Sequence, residues 1–223
     1  MQNDSTTYIL TFHGLGDPGR QLPDGEDHYW LEPSFFDAIL DLVKNRDDVR
    51  LTFDDSNSSD FTIAYPALLK RGLTATFFLV SRRIDVAGYL TTAQIRTLSA
   101  TGMTIGSHGT LHRPWANLNS SDLNLELRDS KRTFEQLISK KVDEAACPLG
   151  SYNRRVLKGL KSNGYLRIYT SDCGPSTSNA WFAPRNTIVR SHTLEQVRRI
   201  IEVSPALPQS AFRALKLFVK RWR

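Results

Sequence analysis

Apolar, β-branched runs alternate along the chain with stretches whose hydrophobic positions recur every three to four residues. TYILTFH, DVRLTFDD, LTATFFLV, GMTIGSH, VDEAAC, YLRIYTS and NTIVRS read as strands. Between or after them, SFFDAILDLVKNR, FTIAYPALLKRG, TTAQIRTLSATG, SSDLNLELRDSKRTFEQLIS, NRRVLKGLKSNG and LEQVRRIIEV read as helices. Gly72, Gly102 and Gly164 fall where a helix would stop and a strand begin, the position that favours a left-handed residue. This order predicts an α/β fold with a parallel sheet, and seven strands in one domain favour an incomplete barrel over an open, doubly wound sheet. One segment breaks the alternation: GLGDPGRQLPDGEDHYWLEP, residues 14–33, is roughly 20 residues rich in Gly, Pro and Asp, long enough to be a functional loop or lid.

Composition narrows the class. The 223 residues are 40% hydrophobic and 23% charged, as in a soluble globular chain with one sizeable core. Cys147 and Cys173 are too few for a disulfide framework, and neither has a CxxC or Cys/His zinc spacing. The opening MQNDSTTYIL lacks the basic, apolar, small-residue order of a signal peptide, and no apolar run approaches the roughly 18 residues of a membrane span, so a cytoplasmic location is expected.

The net charge of +6 would suit an acidic partner, but much of it sits in the tail AFRALKLFVKRWR. Phe212, Leu215, Val219 and Trp222 could line one helical face while Arg213, Lys216, Lys220 and Arg223 occupy others. Residues 1–207 are therefore read as one domain and 208–223 as a basic amphipathic helix, either packed on the domain or in peripheral contact with an anionic membrane. No zinc finger, RNP-like or helix-turn-helix pattern accompanies the charge, so nucleic acid is not an expected partner.

The polar residues of interest end strands. His13 ends the first, Asp54 and Asp55 the second and His108 the fourth, with His112 four residues on. In a βα barrel the carboxyl ends of the strands form the one face where loops converge and chemistry occurs. A carboxylate at the end of a buried strand is costly unless it is paired, hydrogen-bonded or bound to a metal. Successive strand side chains point opposite ways, so the two aspartates need not share one role, and one could hold a metal while the other stays free as a base. The spacing His108-x-x-x-His112 lets two imidazoles grip one ion, although Gly109 and Pro114 indicate a loop and not a zincin helix. With the acidic pair, a two-histidine, one-aspartate metal set with open positions for water is the leading explanation.

Taken together, LTFDDSNSSD, IGSHGTLHRPW and ACPLGSYN, with TATFFLV between the first two, resemble the polysaccharide deacetylase family of NodB-homology carbohydrate esterases. The resemblance covers nearly the whole chain and implies a distorted (β/α)7 barrel. It implies a divalent metal on Asp55, His108 and His112, with Zn²⁺ ahead of Co²⁺, Mn²⁺ or Ni²⁺, and Asp54 as general base. The reaction implied is removal of N-acetyl groups from amino-sugar residues of an oligosaccharide, polysaccharide or lipid-linked glycan precursor. The oxyanion would meet a backbone N–H around Leu149, where Gly150 permits close approach. Trp115, Leu149 and Trp181 are candidate walls for the acetyl methyl or the sugar, and Trp30 a stacking platform; core or lid packing is the alternative for each tryptophan.

Three departures from the family pattern stand out. Ser56 occupies a glycine position. Ala146 occupies the position of the base-orienting arginine, for which Arg185 in FAPRNTIV is the candidate replacement or, alternatively, a structural ion-pair partner. The closing leucine-histidine motif that supplies the general acid is not evident in IVRSH, which leaves His192 poorly spaced. ILTFHGLGD is similar to the opening of circularly rearranged exopolysaccharide deacetylases, making His13 the candidate acid, with a core histidine as the alternative. The missing motifs also leave room for a non-catalytic carbohydrate or metal binder, and the metal motifs alone would equally serve a deformylase or another C–N hydrolase.

Overall fold

The structure, a computed structural model, describes residues 5–202, so the amphipathic segment 208–223 and its membrane contact lie outside the described residues. Among the described residues no helix is long and apolar enough to cross a membrane. The strands are β1 (Thr6–Phe12), β2 (Gly14–Leu15), β3 (Trp30–Leu31), β4 (Val49–Asp54), β5 (Thr76–Leu79), β6 (Thr104–Ser107), β7 (Glu144–Ala146), β8 (Arg167–Thr170), β9 (Ser176–Thr177), β10 (Phe182–Pro184) and β11 (Asn186–Thr187). The helices are α1 (Pro33–Val43), α2 (Tyr65–Leu69), α3 (Thr92–Ala100), α4 (Ser120–Asn124), α5 (Ser130–Ile138), α6 (Arg154–Ser162) and α7 (Leu194–Glu202).

The main sheet has the order β10-β8-β7-β6-β5-β4-β1-β11, with every neighbouring pair parallel. Its two edges meet on one stretch of backbone. Residues 182–184 pair with β8, Pro184 opposite Thr170, and residues 186–187 pair with β1, Asn186 opposite Leu10. Arg185 is the single residue between, so the sheet curls into a nearly closed barrel with an arginine on its seam. The alternation of the sequence places the last strand at NTIVRS; the structure starts it four residues earlier and keeps only Asn186 and Thr187 of the predicted run. Ala, Pro and Arg in FAPRNT carry little β-propensity, and pairing with two neighbours overrides it.

Strand alternation sorts the side chains. Phe12, Phe53 and Phe77 face outward beneath the helices, where Phe53 and Phe77 stack with centroids 4.8 Å apart and α1 adds Phe36, Ile39, Leu40 and Val43. Ile9, Phe78, Ala146, Tyr169 and Ala183 form a separate cluster inside the barrel. Thr11 and Thr52 share a buried hydroxyl pair at 3.0 Å. Gly72, Gly102 and Gly164 all have positive φ, as their places at helix ends require.

Two helices predicted as regular begin or continue through π turns, Asp60–Ala64 before α2 and Leu125–Asp129 between α4 and α5. In the first, Pro66 has no N–H to continue the α pattern, and the Tyr65 N–H bonds back to the Asp60 carbonyl.

Candidate active site

Asp54 is the last residue of β4, and its carboxylate is buried. Asp55 and Ser56 then take positive φ values of 79° and 65°, a sharp turn that keeps the second carboxylate at the barrel mouth beside the first. Glycine would adopt this backbone most freely. Ser56 is held in it because its buried Oγ accepts the Val80 N–H at 2.8 Å and its carbonyl accepts the Leu90 N–H at 2.9 Å.

Arg185 meets Asp54 with two bonds of 2.7 Å, Nη1 to Oδ1 and Nη2 to Oδ2. The guanidinium lies over the rings of Phe78 and Tyr169 at 5.2 and 5.9 Å, and Nη1 also reaches Thr52 Oγ1 at 3.3 Å. Ala146 belongs to the same small cluster as those two rings, so its methyl leaves that wall of the barrel to Arg185. Burial alone would push the Asp54 carboxyl up, but Arg185, then His108 and His13, holds it far below the usual carboxylate range.

His108 follows β6, and its Nδ1 lies 2.9 Å from the Ala146 carbonyl. That partner assigns the Nδ1 proton and leaves the Nε2 lone pair facing the aspartates, 3.9 Å from Asp55 Oδ1. His112 has φ 57° and brings its Nε2 to 3.1 Å from the same oxygen. Burial pushes His108 down to about 4 and lowers His112 as well, so both imidazoles are neutral near pH 7. Burial raises Asp55, yet His112, His13, His108 and Arg83 outweigh it and keep the carboxyl low. One ligand atom from each of Asp55, His108 and His112 falls within 4.8 Å of the others. Two neutral imidazoles and one carboxylate on a single point are the donor set that a divalent metal takes, so the residues fit the ion. Arg83, which no motif or periodicity singles out, donates from Nη1 to Asp55 Oδ1 at 3.0 Å and stacks on Tyr89.

These groups open into a cavity of about 780 Å³ that His13, Tyr29, Arg83 and Leu149 also line. The His13 ring lies 4.9 Å from that of Tyr29, tilted by 40°, and its buried Nδ1 has no hydrogen-bond partner among the described residues. The irregular segment 14–33 supplies a wall of the cavity through Pro23, Asp24, Gly25, Glu26 and Tyr29. Leu149 sits on the rim, 70% exposed with φ 55°.

Other expected residues go elsewhere. Gly150 is not among the residues that line the cavity, and its N–H is taken up by the Cys147 carbonyl at 3.0 Å. Trp115 is not a cavity wall: it is 0% exposed in a core with Leu118, Leu123 and Leu127, because the chain turns inward after Pro114. Trp181 packs under Lys161 and bonds the Tyr165 carbonyl, and Trp30 is buried against Gly14. His192 accepts the Val189 N–H on the turn before α7 and does not line the cavity.

The sequence model described as polysaccharide deacetylase matches residues 41–168, more than half of the chain. The chain belongs to the polysaccharide deacetylase family. A candidate polysaccharide deacetylase of Bacillus subtilis (strain 168) is 30% identical over 166 residues, which are 74% of this chain and 55% of that protein, so the match spans about half of the relative's length. Among solved structures, a Streptococcus pyogenes deacetylase in complex with acetate superposes with a TM-score of 0.79 at 21% identity, over 90% of this chain and 100% of that one. A Bacillus cereus polysaccharide deacetylase gives 0.79 at 21% identity over 89% and 70%. A de-N-acetylase of Aggregatibacter actinomycetemcomitans gives 0.78 at 15% identity over 88% and 100%. These likenesses establish the NodB-like deacetylase barrel as the fold. Both His13 and Arg185 lie outside the matched stretch 41–168, and the fold alone carries them to the site that this stretch builds.

Proposed function

We propose that this polysaccharide deacetylase removes N-acetyl groups from amino-sugar residues of an oligosaccharide, a polysaccharide or a lipid-linked glycan precursor. The observation that carries the reading is the juxtaposition of Asp54, oriented by Arg185, with the Asp55–His108–His112 donor set. Asp55, His108 and His112 would hold a divalent ion, Zn²⁺ first, which would supply Lewis acidity toward an amide carbonyl and a more acidic water. Asp54 accepts the proton of the attacking water, and Arg185 keeps that carboxylate ionised and in plane. His13, across the cavity and braced on Tyr29, delivers a proton to the leaving amine, which cannot depart as an anion. Leu149 on the rim covers the acyl methyl. Arg185 also supplies the cation that Ala146 lacks, which weakens the case for a non-catalytic binder.

The deciding experiment measures acetate released from N-acetylglucosamine oligomers by metal-stripped protein, with Zn²⁺, Co²⁺ or Mn²⁺ added back. Metal-dependent acetate is the expected result. Stoichiometric metal uptake with no acetate would reject free N-acetylated oligomers as the substrate, in favour of a lipid-linked or non-acetyl substrate first and a non-catalytic binder second.

A further inference from the structure

We propose that Glu126 is a positioning residue that sets the geometry of the metal-ligand pair His108 and His112, an inference that rests on the metal-site reading above. Glu126 is 2% exposed, in the π turn Leu125–Asp129. A buried carboxylate is expensive unless its oxygens are bonded, and π turns occur frequently at functional sites. Its oxygens take the N–H groups of two successive residues between the histidines, Thr110 at 2.8 Å and Leu111 at 3.1 and 3.2 Å. The fit is close: a Cβ on Gly109 would collide with Glu126 Oε2, and Gly109 has φ +84°.

The rest of the loop is tied to the same support. The Gly109 N–H goes to Ser107 Oγ at 3.2 Å, and that hydroxyl pairs with Ser130, which bonds the Glu126 carbonyl. On its other edge the loop's carbonyls, Gly109 and Thr110, accept the N–H groups of Ser81 and Arg82, each at 3.1 Å. The next residue, Arg83, holds Asp55. Glu126 thus anchors the peptide stretch that joins the two histidines, and that stretch is laced to the arginine on the third ligand. Without the anchor, two partly buried N–H groups lose their acceptor and the left-handed His112 loses the turn that aims it at Asp55.

The test is Zn²⁺ affinity of the metal-stripped full chain, by competition with a chromophoric chelator, for wild type, Glu126→Gln and Glu126→Ala. Absorption spectra of the Co²⁺ forms are recorded beside it. Glutamine keeps the shape and one acceptor oxygen but turns an NH₂ toward the second N–H. Zn²⁺ affinity should fall roughly 10-fold in Glu126→Gln and toward 100-fold in Glu126→Ala, with altered Co²⁺ spectra. Zn²⁺ should also raise the Tm of Glu126→Gln less than that of wild type. A folded Glu126→Gln with wild-type Zn²⁺ affinity and Co²⁺ spectrum would overturn the proposal and reduce Glu126 to loop packing, leaving the metal site intact. A wild-type chain that takes up no Zn²⁺ or Co²⁺ would overturn the metal-site reading itself, and the proposal with it.

Discussion

Arg185 Nη1 and Nη2 each lie 2.7 Å from a different carboxylate oxygen of Asp54, and both side chains are buried. The pair holds Asp54 below its ordinary 3.8, so the proton is bound less tightly in the native state than in the unfolded one. The stability this contributes is fully present above 3.8 and is lost as pH falls through the lower native value. Arg185→Met leaves a buried carboxylate alone, at a cost of about 3–5 kcal/mol. The acid limb of kcat/KM against pH should then move to higher pH. An acid limb that stays in place would remove Arg185 from the mechanism and leave it as a structural partner.

The two adjacent aspartates should respond differently to truncation. Asp55→Ala should lose metal and activity together, because its carboxylate is one of the three donors. Asp54→Asn should retain metal and lose activity. Bound metal per chain, measured after dialysis, decides the matter: equal loss in both variants would break the division of labour.

Leu149 and Trp115 should separate binding from stability. Leu149 is 70% exposed on the cavity rim, so Leu149→Ala should alter stability by within about 0.5 kcal/mol while raising KM. Trp115 is enclosed, and Trp115→Ala should cost about 3–5 kcal/mol through the void it leaves. Urea unfolding alongside steady-state kinetics reports both quantities, and a rim residue whose loss left KM unchanged would have no contact with substrate.

Asp60 is fully buried, and neither carboxylate oxygen has a hydrogen-bond partner among the described residues. Burial first, then the charges of Asp55 and Asp54, pushes it well above 3.8. The sign is opposite to that of Asp54: the native state binds this proton more tightly, so stability is greatest below 3.8 and erodes as pH rises toward the native value. Asp60→Asn carries no such penalty. Its Tm should match wild type near pH 4 and exceed it increasingly at higher pH; a constant offset across that range would show that Asp60 binds its proton equally well folded and unfolded.

The strand order and the metal donors were legible because both follow rules of placement: apolar runs make strands, and functional groups gather at their carboxyl ends. His108, His112, Asp55 and Asp54 lie within a few residues of recognisable strand ends, and His13 follows the first. Arg185 was legible only as a cation near the last strand; its two-bond grip on Asp54 depends on where residues 182–187 switch from one sheet edge to the other. Trp115, three residues after His112, looks like part of the site in one dimension, yet the chain turns away after Pro114. Glu126 and Tyr29 were hidden for the complementary reason. Each is brought to the site by a helix or loop whose approach depends on tertiary packing, and neither has a periodicity that marks it.

The seam of the barrel gives the same six residues two duties. Residues 182–187 join the free edges of the sheet, and the one residue that pairs with neither edge holds Asp54, the proposed base. With this segment undocked, Asp54 would lack the counter-charge of Arg185. Closing the ring and giving Asp54 its counter-charge therefore depend on the same six residues, so a change that undocks them would open the barrel and unsteady the proposed base together. The proposed chemistry asks only for a guanidinium at one point inside the ring, and any strand whose end reached that point could deliver it.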